Sequence, residues 1–402
     1  MFLLKKLGEE MEHTSSELGN QSLWAKIWQF FVVDKVFLVS FIIALNAMVF
    51  GQAHFTTRFF DWKVIATVFG LMLVIGGFRE SGLLRYIGES MVSKSKTTRQ
   101  LVRFTTNLTF FLAVFFTNDL TILTMLPLYL YITKHVENRK SVYWGASFIV
   151  PACHMGSTLL PFGNPHNLYV YNFFHLSSNN MAFFKGTVPM WIAGFIVLNL
   201  ACFLIDKDPI HVDTKPKDFN IVEVVVFVAL MVLMATSVFT KVAIGGINFY
   251  WIAAGITSLI VFLYKRELFK SADYHLILTF MCFFIIVGNL VDIEQITTFV
   301  SNLASSPQGA FLGTVLISQV ISNISSAVLM SPFTTHGVAV ILGADVGGVG
   351  MLTASMATLI AYKVISVQGR SEIAGYAKYF AICMVAFLVV LTAIGLVIVS
   401  II

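Results

Sequence analysis

The chain has 402 residues, 57% of them hydrophobic and 12% charged, with a formal net charge of +5. A soluble globular chain is about 25% charged, so no water-soluble fold could hide this much apolar surface and lipid must be the solvent. The small positive balance needs no nucleic-acid partner, because membrane proteins gather Lys and Arg on their cytoplasmic side.

Residues 1–33 mix acidic and basic side chains and lack the apolar core of a cleavable signal, which predicts a cytoplasmic N-terminal segment. Apolar runs at 34–52, 62–80, 141–172, 186–205, 220–238, 248–264, 274–292, 346–368 and 379–402 are candidate spans, since a crossing helix needs about 20 residues. Two stretches, 101–133 and 308–342, are too long for one span and too short for two. Each has a polar break, Thr117-Asn118-Asp119 in the first and Ser322-Asn323 in the second. An arm of roughly 15 residues reaches only about 22 Å, so each stretch is predicted to be a re-entrant helical hairpin. The runs 141–172 and 346–368 are interrupted at 163–167 (Gly-Asn-Pro-His-Asn) and 353–358 (Thr-Ala-Ser-Met-Ala-Thr), and are predicted to be broken helices.

The fold class expected is therefore an all-α polytopic membrane protein built from two inverted-topology repeats, each with one re-entrant hairpin and one broken helix. The first repeat covers 34–205, a linker and connecting span cover 206–247, and the second repeat covers 248–402. Thr117-Asn118 with Pro127 matches Ser322-Asn323 with Pro332 at a constant offset of 205, and Gly156, Leu168 and Tyr171 match Gly347, Leu359 and Tyr362 at an offset of 191. With the N-terminus inside, only Arg58, Lys63, Lys185 and Lys241 of the 26 Lys and Arg fall toward the outer side. Asp292, Glu294 and Asp345 are read with that outer side, flanking the second hairpin.

Four breaks are expected to meet near the midplane. Pro165 removes a backbone donor and Gly163 permits sharp bends, so carbonyls freed there and at Ala354 are hard oxygen ligands suited to a small cation. Helix N-termini after each break suit an anion. Thr117, Asn118, Asp119, Asn164, Asn167, Ser322, Asn323, Thr353, Ser355 and Thr358 are the candidate substrate-binding residues. An ionisable group within a membrane is a functional candidate, so Asp119 is a candidate proton carrier or cation ligand, with helix capping as the competing role. His166 is a second candidate proton relay; helix packing is at least as good a reading for His154. His336 is expected near the outer surface. The four cysteines stand singly in apolar segments, which indicates neither a zinc site nor disulfides. Neither HExxH nor a GxSxG nucleophile setting occurs, so an enzyme is not expected.

The strings FFTNDLTILTMLPL, GSTLLPFGNPHNLYV, SQVISNISSAVL and ADVGGVGMLTASMATLIAYK resemble the ion transporter superfamily, which includes citrate and dicarboxylate permeases, arsenite/antimonite efflux permeases and D-type sodium/proton antiporters. Within it they look most like the YbiR-type inner membrane permeases. The resemblance implies a scaffold domain and a transport domain that moves like an elevator, with Thr117, Asn118, Ser322 and Asn323 at the site. Asp119 and Ile324 stand where the sodium–dicarboxylate branch has Thr. The expected function is a secondary active permease of the bacterial inner membrane, moving a small organic or inorganic anion coupled to sodium or protons. A sodium/proton antiporter or an arsenite/antimonite efflux permease is the alternative. No cofactor and no resident metal beyond a coupling sodium are expected. The partners are the solute and the bilayer, with a homodimer left open.

Overall fold

The structure, a computed structural model, describes residues 34–51, 59–92, 95–210, 218–366 and 370–402. The N-terminal segment 1–33 and part of the 206–247 linker lie outside the described residues.

The chain divides into two compact units. In the first, α1 (Lys35–Phe50) packs along α12 (Tyr274–Leu290). Asp34 caps α1 by accepting from the amides of Val36 and Phe37, at 2.8 and 3.0 Å, and Asp273 caps α12 through the amide of Leu276 at 3.0 Å. The Phe37 ring meets His275 edge-on at 5.6 Å.

The second unit holds the remaining elements. In chain order they are α2 (Trp62–Glu80), α3 (Leu83–Val92), α4 (Thr98–Phe115), α5 (Asn118–Ile132), α6 (Arg139–Ser157), α7 (Pro165–Phe173), α8 (Asn180–Ala201), α9 (Ile221–Phe239), α10 (Phe249–Lys265) and α11 (Leu268–Ser271). After α12 come α13 (Glu294–Leu303), α14 (Pro307–Ile321), α15 (Asn323–Met330), α16 (Gly337–Gly347), α17 (Met356–Ser366) and α18 (Arg370–Ile401). A two-stranded hairpin, Ala243–Ile244 with Ile247–Asn248, turns on Gly245 and Gly246, both at positive φ.

Among the described residues, four helices are long and apolar enough to cross a membrane: α2, α8 with its extension to Leu204, α9, and α18 from Glu372. Their apolar faces are turned outward. Val222, Val225, Val228 and Val232 form an exposed stripe on α9, while Phe227, Leu230, Met234 and Val238 of the same helix are buried. Such a stripe is stable only against lipid or another protein. Shorter apolar helices end at the polar breaks, and glycines let them approach. A Cβ at Gly156 of α6 would stand 2.1 Å from the Phe110 carbonyl oxygen of α4, and one at Gly343 of α16 would stand 2.6 Å from that of Phe311 on α14. Farther along, α5 packs against α17, and α15 against α7.

The division of the chain after α15 differs from the expected bounds. The apolar run to 342 is not one return arm: α15 ends at Met330, a 3-10 turn covers Ser331–Phe333, and Thr334 is extended. Pro332 lacks the amide that would extend the ladder of α15, and α16 begins afresh at Gly337, so the helix before the second break starts nine residues before the expected 346. At the C-terminus, α18 runs 32 residues from Arg370, longer than the apolar run from 379.

Candidate functional site

Both polar breaks expected as hairpin tips open a helix. Phe116 and Thr117 are extended, and Asn118 begins α5, its side-chain oxygen accepting from the Asp119 amide at 2.8 Å. At the second tip Ser322 sits at φ 98° and ψ 153°, a region nearly reserved for glycine. Its hydroxyl is tied to Ser325, at 3.0 Å from that hydroxyl and 3.4 Å from that amide. The Asn323 amide then donates to the Ala354 carbonyl, in the second break, at 2.8 Å.

The two tips reach one place. Asn118 Nδ2 lies 3.4 Å from His154 Nδ1, and His154 Nε2 lies 2.9 Å from Ser355 Oγ, which in turn lies 2.8 Å from Thr358 Oγ1. A Cβ at Gly348 would meet the His154 ring at 2.6 Å and Asn323 Nδ2 at 2.8 Å. Glycine there lets the second break come against both His154 and the second tip. His154 joins Asn118 to Ser355, and is wholly buried.

A second cluster forms at the first break. A Cβ on Gly163 would collide with the Ser157 carbonyl at 2.3 Å, and Pro165 starts α7. Asn164 Nδ2 donates to Ser157 Oγ at 2.7 Å and to Asp345 Oδ1 at 2.8 Å. His166 Nε2 lies 3.0 Å from Asp345 Oδ1, and Asn167 Nδ2 donates to Asp345 Oδ2 at 3.2 Å. All four side chains have zero exposure as residues. Buried polar atoms are normally paired, yet Asn164 Oδ1, His166 Nδ1, Asn167 Oδ1 and Asn323 Nδ2 have no hydrogen-bond partner. Unpaired heads of this kind are what a ligand would complete.

Asn118, Asn323, Ala354, Ser355 and Thr358 thus share one neighbourhood, while Asn164, His166 and Asn167 share another around Asp345. Asp119 stands half-buried in the first turn of α5, and Thr117 half-buried just before it. Thr353 is exposed, and its hydroxyl donates to the Gln319 carbonyl at 2.8 Å. His336 lines a separate open pocket of about 390 Å³ with Lys185 and Gly337.

Asp345 corrects the reading of that residue as an outer-side acid. It lies inside α16, at zero exposure, held by the first break. The available signal was its isolation within the apolar run 337–347. Gln319 was also missed. It ties α14 to the second break by donating to the Gly347 carbonyl at 2.7 Å and accepting from the Met351 amide at 3.0 Å.

Residues 26–361 match the citrate transporter family. The chain belongs to this family. It is 28% identical over 340 residues to an uncharacterized transporter of Methanocaldococcus jannaschii, covering 83% of this chain and 89% of that one. It is 29% identical over 315 residues to the inner membrane protein YbiR of Escherichia coli, covering 76% of this chain and 80% of that one. This citrate transporter family member is an integral membrane protein and a permease rather than an enzyme, and its outward apolar stripes agree with that.

Proposed function

We propose that the protein is a secondary active transporter that moves a small organic or inorganic anion, coupled to sodium or protons, by alternating access. One observation carries this reading: Asn118 and Asn323, each opening a helix after a break, come together around His154 and Gly348. Two helix N-termini bring partial positive charge and free amides. Asn323 Nδ2 adds a buried donor without a partner. On this reading the anion is received by neutral donors.

The packing of α5 on α17 and of α15 on α7 supports an inverted repeat, in which each re-entrant hairpin lies against the broken helix of the other half. On this reading the two hairpins and two broken helices form a transport domain that moves like an elevator. The N-terminus is cytoplasmic, in keeping with the basic cluster over 79–103, and the membrane is the bacterial inner membrane. Citrate is the first solute to test, a choice supported by the family's description and by the mixed donor set. The acid Asp119 in the first turn of α5 favours a second reading, sodium/proton exchange or arsenite efflux, because a carboxylate there repels an organic anion unless a cation lies between.

The test is uptake into proteoliposomes with citrate, other carboxylates, arsenite and sodium. Saturable flux of one solute that is abolished by Asn118→Ala, in protein that still elutes as a single folded species, is expected. Undiminished uptake by Asn118→Ala removes the tips from the site.

A further inference from the structure

We propose that the seam between α4 and the C-terminal end of α8, where Arg99 and Arg103 stand, binds the phosphate headgroup of one anionic phospholipid. The inference goes beyond the transport reading and does not depend on it.

Arg99, Arg103 and Asn107 follow one another at four-residue steps on α4 and so share one of its faces. That face lies against the last turns of α8. With its extension to Leu204, α8 has 25 residues, about 37 Å at the rise of a helix, against a hydrocarbon core of about 30 Å. Its end therefore reaches the headgroup layer. The chain beyond it is fixed across the start of α4: the Thr98 amide donates to the Asp208 carbonyl at 2.9 Å, and the Ile210 amide to the Lys96 carbonyl at 3.1 Å.

The two arginines are held differently. Arg99 serves the protein: Nε and Nη2 donate to the carbonyls of Ile205 and Phe203 at 2.7 and 3.0 Å, and its guanidinium lies 5.8 Å from the centre of the Phe203 ring. It satisfies carbonyls left over where a helix ends. Arg103 is exposed and makes one hydrogen bond, from Nε to Asn199 Oδ1 at 3.0 Å. Asn107 Nδ2 donates to the same oxygen at 3.2 Å, while Asn199 Nδ2 donates to Asn107 Oδ1 at 2.9 Å and to the Phe195 carbonyl at 3.0 Å. The paired amides thus fix the oxygen that orients Arg103. Nη1 and Nη2 of Arg103 are left without a partner among the described residues.

Charge and surroundings name the occupant. Among the described residues neither arginine pairs with a carboxylate. The acids of the adjoining segment, Asp206 and Asp208, accept instead from Asn138 Nδ2 at 3.1 and 2.6 Å. A permanent positive charge at the membrane surface without a protein counter-charge attracts an anion, and the planar fork of a guanidinium fits two oxygens of a phosphodiester. Apolar side chains flank the fork. Ile196, Leu200, Phe203 and Leu204 make an exposed stripe on α8, and Phe104 and Phe111 are exposed on α4. A free phosphate has no use for such a stripe, whereas the acyl chains of a phospholipid lie along it while the headgroup meets Arg103.

The experiment is native mass spectrometry of the full-length protein in detergent, titrated with phosphatidylglycerol, phosphatidylcholine or inorganic phosphate. One phosphatidylglycerol held in preference to phosphatidylcholine is expected. Arg103→Gln is expected to weaken it at least about fivefold, the effect of one basic residue at an anionic membrane surface. Lys270→Gln removes an exposed charge elsewhere on the chain and is expected to leave binding unchanged. Equal binding of the two lipids, undiminished binding by Arg103→Gln, or an equal loss in Lys270→Gln overturns the site. Inorganic phosphate that displaces the lipid at matched concentration overturns the lipid as its occupant. A second measurement needs no variant: wild-type protein is irradiated with phosphatidylglycerol carrying a photoreactive group on its headgroup. Adducts within 99–107 and 196–207 are expected, and adducts confined to other segments overturn the proposal.

Discussion

His154 and Ser322 show what single residues do here. His154 Nδ1 and Nε2 connect the first tip to the second break, so His154→Phe keeps a ring and leaves Asn118 Nδ2 and Ser355 Oγ without it. A loss of about 1–3 kcal/mol per orphaned buried group is the ordinary consequence. Thermal unfolding in detergent should show that drop, together with loss of saturable uptake; an unchanged melting curve would mean that the histidine only fills space. Ser322 adopts a backbone conformation that costs a non-glycine residue about 1–3 kcal/mol. Ser322→Gly should raise thermal stability by about 1 kcal/mol, and a lower melting temperature would show that the hydroxyl's contacts with Ser325 outweigh the strain. Asp345→Ala removes the acceptor of three buried donors, and should destabilise by about 3–5 kcal/mol, far more than Asp345→Asn.

Helices end where polar residues interrupt an apolar run, and that much could be read directly. Thr117-Asn118 precedes α5, Ser322-Asn323 precedes α15, and Gly163 to Pro165 precedes α7, each signalled by residues that cannot lie in a lipid-facing helix without partners. The end of α15 was harder to see. Asp345 is the one Asp, Glu, Lys or Arg in residues 323–347, so the stretch reads as one membrane segment, and Pro332 with Gly337 was not taken as the end of one helix and the start of another. Asp345 was missed for a different reason: its isolation in an apolar run marks it, but its partners depend on α7 lying against α16, a contact between residues some 180 positions apart in sequence that no local pattern carries. Close helix packing makes its own prediction. Gly156→Leu puts a side chain where the Phe110 carbonyl of α4 stands, and Gly343→Leu does the same against Phe311 of α14. Overpacking of this kind costs at least about 1–3 kcal/mol, so both variants should yield little monodisperse protein on size exclusion. Leucine at Gly255, whose surroundings are open, should be tolerated.

For the whole molecule, composition alone required a lipid solvent, and the family match across 26–361 makes the chain a membrane transporter. What unites the proposed mechanism is that two tips, 205 positions apart in sequence, serve one site. Single cysteines at Thr117 and Ser322, both partly exposed, test this directly in a background with Cys153, Cys202, Cys282 and Cys383 replaced by serine or alanine. Labelling rates with a small water-soluble thiosulfonate would be measured in liposomes, with and without the transported anion. Slower labelling at both positions, at the same anion concentration, is the outcome expected of a shared site. Protection at one position while the other reacts unchanged would contradict it.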